Sequence, residues 1–231
     1  FIGVNHLEGH LYSSFIDQQI IKFPFLCLLV TGGHTQIWEV KNMGNYYLHS
    51  TTVDDAAGEA FDKGSRILGL GYPGGPEIEK AAIRGNPNSF SFSIPIVKKN
   101  PLYFSFSGIK TAILYKIQEM TKEEKLNNLA NIAASYQEII IDTLLDKLKK
   151  VVHKTKISHI SITGGVAANR RFRDKVDEMK EKMNIQFNFP NIEYCTDNAA
   201  MIAKAGYNRL KAGHVSSLDL QANPNLRLND I

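Results

Sequence analysis

Twice along the chain an apolar run of strand length ends at a pair of glycines: Phe25 to Thr31 before Gly32-Gly33, and Ile157 to Thr163 before Gly164-Gly165. A continuous apolar run suits a strand covered on both faces, and a glycine pair lets the backbone turn tightly or approach a ligand. The first run resumes at Gln36 to Val40, turns through Lys41-Asn42-Met43-Gly44-Asn45 and returns along Tyr46 to Thr51, which reads as an antiparallel meander. The second opens into a basic helix from about Ala167 to Lys182. Strands alternating with helices make this an α/β chain.

The remaining elements follow from period and punctuation. Ala57, Ala60, Phe61, Gly64 and Leu68 fall at helical spacing, closed by Gly69 and Gly71, and Tyr72-Pro73-Gly74-Gly75-Pro76 leads into a second helix. Residues 85 to 106 carry no sustained period and read as an irregular excursion ending in Phe104-Ser105-Phe106-Ser107. Thr121-Lys122-Glu123-Glu124 is a capping box, behind which Leu126, Leu129, Ala133, Tyr136, Ile140, Leu144 and Leu148 continue one apolar stripe. A last strand near Ile185 to Phe189 precedes a helix from Ala199 to Leu210, for which Asp197 suits the N-cap and Gly213 the close. The tail after Ser216 reads as loop.

Composition narrows the function classes. A chain of 231 residues that is 43% hydrophobic and 22% charged has a globular balance, and a net charge of +4 permits a polyanionic partner without requiring one. Cys27 and Cys195, the two cysteines, make neither a disulfide framework nor a zinc cage, so a reducing compartment is expected. The longest apolar run, Phe23 to Val30 with Pro24 inside it, is far below the roughly 20 residues of a bilayer span.

Several groups could carry chemistry. His6-Leu7-Glu8-Gly9-His10 places two imidazoles one helical turn apart on one face, a spacing that can chelate a metal ion but equally suits two unligated histidines. Glu8 lies about 200° around the helix from His6, unlike the glutamate of zinc proteases, which directly follows the first histidine. The glycine pairs at 32–33, 74–75 and 164–165 could present backbone N–H groups to phosphate or sugar, or be ordinary turns. Asp54, Asp55 and Glu59 suit the start of their helix, whereas Asp62, well inside it, asks for another explanation. Arg170-Arg171-Phe172-Arg173-Asp174-Lys175 could meet a nucleic-acid backbone or be a solvated face. Asp197 fits either an N-cap or a carboxylate ligand aimed at the histidine pair.

Seven strings, in order, carry a resemblance: His6 to His10, Leu29 to Gln36, Asp54 to Lys63, Tyr72 to Pro76, Phe104 to Gly108, Thr163 to Asn169 and Cys195 to Ala199. The chain resembles the TsaD family of tRNA threonylcarbamoyltransferases, formerly labelled glycoproteases, from Phe1 to about Gly213, with the bacterial or organellar branch fitting best. The resemblance implies an actin-like, sugar-kinase-like ATPase fold, a mixed sheet flanked by helices, present here mainly as the second lobe. It implies a metal-binding helix within residues 1–20 and a ligand-binding lobe at about 21–215 of a catalytic region spanning 1–231. Family members carry roughly a hundred further residues upstream, enough for a lobe of their own, and that lobe is expected to be missing from this chain.

The implied reaction moves a threonylcarbamoyl group from threonylcarbamoyl-adenylate to the exocyclic amine of the adenosine adjoining the anticodon in ANN-decoding tRNAs, releasing AMP. His6, His10 and Asp197 match the family's metal ligands, for iron or zinc. Leu29, Val30, Thr31, Gly32 and Gly33 match the loop that cradles the acyl-adenylate; Asp62, Gly75 and Glu79 match ribose contacts, and Asn169 an adenine or sugar contact. No catalytic residue is assigned, because the acyl donor arrives activated. Implied partners are tRNA with an actin-like paralogue, TsaB, and a small ATPase, TsaE, in bacteria, or a second copy of the chain in organelles. The expected place is the cytoplasm, or a mitochondrion or plastid. A metallopeptidase and a non-catalytic nucleotide-binding module are the competing expectations.

Overall fold

The structure, a computed structural model, describes residues 1–17 and 21–228; residues 18–20 of the expected metal-binding stretch lie outside the described residues. Five strands form one mixed sheet in the order β3-β2-β1-β4-β5: β1 is Phe25–Val30, β2 Thr35–Asn42, β3 Asn45–Thr51, β4 His159–Thr163 and β5 Gln186–Asn188. The meander is antiparallel, whereas β4 lies parallel to both β1 and β5.

Period-2 alternation along β1 builds two cores. Leu26, Leu28 and Val30 face a large cluster with Phe61, Tyr136, Ile140 and Phe172, while Phe25 and Cys27 face Leu11, Tyr12, Trp38 and Val40. On the first side lie α2 (Ala57–Leu68), α3 (Gly74–Ala82), α4 (Ser107–Gln118), α5 (Lys122–Thr155) and α6 (Arg170–Met183). On the second lie α1 (His6–Tyr12) and α7 (Ala199–Lys211). No helix among the described residues is long and apolar enough to cross a membrane.

The boundaries depart from expectation in instructive places. The capping box is present, with Thr121 Oγ1 accepting from Glu124 N–H and Glu124 accepting from Thr121 N–H. The buried stripe behind it begins only at Ile132, and Leu126 is 75% exposed, so the first turns of α5 project beyond the core. α4 was not anticipated. It is held by Asp54, whose carboxylate accepts from Ser105 Oγ, Phe106 N–H and both donors of Ser107, so Asp54 serves the start of α4 and not that of α2. Asn198, not Asp197, caps α7, accepting from Met201 N–H at 2.9 Å. The tail is not idle loop: Ser216 N–H donates to Phe1 O, Asn5 Nδ2 to Leu226 O, and Leu228 is buried in the second core.

Candidate functional site

Because β1 and β4 are parallel with Leu29 paired to Thr163, both glycine pairs emerge at the same carboxyl edge of the sheet. That edge is where open α/β sheets bind ligands, since the strand ends and helix starts leave a crevice there. Gly164 (φ +98°) requires glycine twice over: its backbone is left-handed, and an added Cβ would sit 2.3 Å from Val30 O. A Cβ on Gly58 would meet Thr31 O at 2.7 Å, so the start of α2 also closes on this edge.

Among the residues matched to the acyl-adenylate loop, Leu29 and Val30 lie within β1, fully buried and paired, so the loop itself begins at Thr31. Gly32 and Gly33 are exposed, and a Cβ on either would meet nothing within 4 Å. The backbone donors here are not all bare, because Thr31 Oγ1 accepts from Gly33 N–H at 3.3 Å and from His34 N–H at 2.9 Å.

Asp62 finds its explanation across the helix crossing. Its Oδ1 accepts from Gly74 N–H at 2.7 Å, at the first residue of α3. Farther along α3, Glu79 Oε1 accepts from Arg170 N–H at 2.7 Å, at the first residue of α6. Asn169 caps α6 through Phe172 N–H and donates to Gln137 Oε1 at 2.8 Å, so its buried side chain is already engaged on both sides. Asp62, Gly75, Glu79 and Asn169 therefore line a continuous path along α3 to the start of α6. Beside it opens a groove of about 700 Å³ lined by Glu79, Gln137, Glu138, Arg170, Arg171 and Asp174. Gln137 and Glu138 escaped the sequence reading because they sit on α5, where only the apolar stripe was informative.

The basic run is largely committed internally. Arg171 grips Glu138 with two 2.8 Å hydrogen bonds, Lys175 bonds Glu138 and Asp142, and Arg173 donates to Ala167 O and covers the Phe189 ring. Burial works to raise the Glu138 carboxyl, but Arg171 and Lys175 outweigh it and hold the group below its ordinary range.

At the other end of the edge, Thr196 Cγ2 approaches Gly165, and the next residue, Asp197, meets the histidine pair. His10 Nε2 lies 3.0 Å and His6 Nε2 3.4 Å from Asp197 Oδ1, and one ligand atom from each of the three falls within 4.8 Å of the others. Asn5 caps α1 by accepting from Leu7 N–H. His10 is buried, whereas Asp197 is 73% exposed. Desolvation first, and the neighbouring His6 second, hold His10 below the ordinary imidazole range, which favours the neutral form that ligates metals. Among the described residues His10 Nδ1 is buried without a partner, which leaves Nε2 as the ring's polar outlet, toward the shared point. Two imidazoles and one carboxylate are a donor set for iron or zinc that leaves coordination positions open. Glu8, as its helical angle implied, points elsewhere, to Tyr46 and Arg209.

Comparison with known proteins bears on the fold and the family. The solved structure of full-length HypF in its phosphate- and nucleotide-bound form superposes with a TM-score of 0.71 at 12% identity, covering 92% of this chain and 36% of that one. HypF of T. kodakarensis gives 0.66 at 13%, covering 89% and 36%. This likeness is one of fold, the α/β class with a mixed sheet flanked by helices. Among curated proteins, the tRNA N6-adenosine threonylcarbamoyltransferase of Fervidobacterium nodosum is 46% identical over 97% of this chain and 67% of its own length. That of Thermosipho melanesiensis is 48% identical over 98% and 68%. The chain thus spans about two thirds of such relatives. A family model described as TsaD, tRNA N6-adenosine threonylcarbamoyltransferase, matches residues 1–204, and the chain belongs to that family.

Proposed function

We propose that this chain carries the metal and acyl-adenylate site of a tRNA-modifying acyltransferase, transferring a threonylcarbamoyl group from threonylcarbamoyl-adenylate to the N6 amine of the adenosine adjoining the anticodon in ANN-decoding tRNAs. Beyond family membership, the observation that carries this is the convergence of the His6, His10 and Asp197 donors with both glycine junctions on one sheet edge. In the reaction a bond forms between N6 and the carbonyl carbon while the bond from that carbon to the phosphate oxygen breaks. AMP leaves, and the amine proton passes to solvent.

When bound, a divalent ion, iron or zinc, supplies Lewis acidity toward a carbamoyl or phosphate oxygen. The chain's own residues position the donor. Asp62 suits ribose hydroxyls because a carboxylate accepts more than the one hydrogen bond it takes from Gly74. Gly75 and the exposed Gly32-Gly33 turn leave room for close approach, with Glu79 and Asn169 farther along the path. Since the attacking amine is weakly basic and the donor activated, orientation and carbonyl polarisation outweigh any strong general base. The metallopeptidase reading is disfavoured because Glu8 is buried against Tyr46 and Arg209, away from the histidine face.

The proposed setting is the cytoplasm with TsaB and TsaE as partners, the organellar homodimer being the alternative. The test is elemental analysis with calorimetric titration of a non-hydrolysable acyl-adenylate analogue, on this chain and a His6→Ala/His10→Ala variant, followed by transfer to tRNA with partners present. Stoichiometric metal lost in the variant, metal-dependent analogue binding and modified tRNA are the expected results. Analogue binding without any transfer would favour the non-catalytic module.

A further inference from the structure

α1 has only seven residues, too few to hold a helix or its orientation by backbone bonds alone, so its neighbours must set its rotation. It packs closely along α7: a Cβ on Gly9 would lie 2.8 Å from Ile202 Cδ1 and 3.3 Å from Met201 Cγ. Gly9 against α7 and the buried Leu11 and Tyr12 give α1 an apolar seat. Glu8 adds a directional polar anchor to that seat. It is 0% exposed, and its carboxylate accepts from Arg209 Nε at 2.6 Å and from the Tyr46 hydroxyl, which Gly44 N–H and Tyr12 also approach.

At 100° per residue, Glu8 lies about 160° to 200° around the helix from both histidines. Turning α1 enough to carry the imidazoles away from Asp197 would draw Glu8 off Arg209 and leave both charges unpaired in the interior, a strongly unfavourable state. We propose that Glu8 is a positioning residue that, fastened by Arg209 and Tyr46, sets the rotation of α1 so that His6 and His10 present Nε2 to the Asp197 carboxylate. This deepens the metal-site reading above and rests on it.

The experiment titrates the 231-residue chain with Co²⁺, reading the dissociation constant and the visible ligand-field spectrum. Glu8→Gln, which keeps the shape but not the charge, weakens Co²⁺ about tenfold and alters the band pattern, the scale seen when outer partners of metal ligands are removed. Tyr46→Phe, which removes one hydroxyl from the same carboxylate, weakens Co²⁺ in the same direction and by less than Glu8→Gln does. It also carries the test if Glu8→Gln fails to fold. Ile140→Val, in the opposite core, lowers the melting temperature and leaves Co²⁺ affinity and spectrum unchanged. The proposal is overturned if both α1-network variants bind Co²⁺ as the parent does, or if Ile140→Val weakens binding as much as they do. A separate control tells the two readings apart: a parent chain that takes up no Co²⁺, or equal uptake by His6→Ala/His10→Ala, overturns the metal site itself and this inference with it.

Discussion

Asp62 Oδ1 and the Gly74 backbone N–H, 2.7 Å apart, join the interior of α2 to the first residue of α3. The crossing is tight, since a Cβ on Gly74 would lie 2.4 Å from Asp62 Cα. Asp62→Asn keeps an acceptor for this bond and so keeps the melting temperature within a degree or two, while weakening the acyl-adenylate analogue about tenfold through loss of a charged ribose acceptor. Asp62→Ala loses both, with stability falling by about 1 kcal/mol. Paired thermal denaturation and calorimetry check this; equal analogue binding by Asn and Asp would remove Asp62 from the ligand site.

Asp54 gives a pH signature. Burial works to raise its carboxyl, but the donors of Ser105, Phe106 and Ser107 together outweigh it and hold the pKa below the ordinary value. The stabilisation is therefore complete above the unfolded pKa of about 4 and disappears as pH falls through the lower folded value. Asp54→Ala costs about 1 kcal/mol at neutral pH, the scale of a lost helix cap. Urea unfolding from pH 7 down to pH 2 should show the gap between variant and parent closing below about pH 4.

Gly64 tolerates no side chain. A Cβ there would fall 2.1 Å from Tyr136 Cε1, and the ring has little freedom because its hydroxyl donates to Ala60 O at 2.7 Å. Despite the better helix propensity of alanine, Gly64→Ala loses about 1–3 kcal/mol through overpacking, measurable as a lowered denaturation midpoint with unchanged slope.

The basic stretch of α6 acts inward. Arg171→Gln breaks a two-pronged pair with Glu138 and lowers stability by about 1 kcal/mol, while tRNA affinity measured by filter binding changes less than about twofold. A large drop in tRNA affinity at constant melting temperature would return this face to the tRNA surface.

What the sequence made legible was local. The strand runs, the Thr121 capping box, the helix from Ala57 and the i, i+4 histidines depend on neighbours within a turn or two, and each lies where its pattern put it. α4 was hidden although Ile109, Ile113 and Ile117 step through it at fours, because Leu114 and Tyr115 remain exposed and blur the stripe. The partners of Asp54 and Arg171 lie some 50 and 33 residues away, beyond the reach of a local pattern. The choice at Asp197 turned on one position, as Asn198 takes the cap and frees the carboxylate. The glycine loop was readable as a turn, but the occupation of its donors by Thr31 is a matter of conformation.

The tail that folds back onto the opening segment bears on biosynthesis. The imidazoles precede Asp197 and Arg209 by about 190 to 200 residues and the covering Leu226 and Leu228 by more than 210. Closing so long a loop is slow relative to local helix formation. During translation the two histidines therefore emerge well before their carboxylate, and the three side chains can converge only after the chain has been made through Asp197.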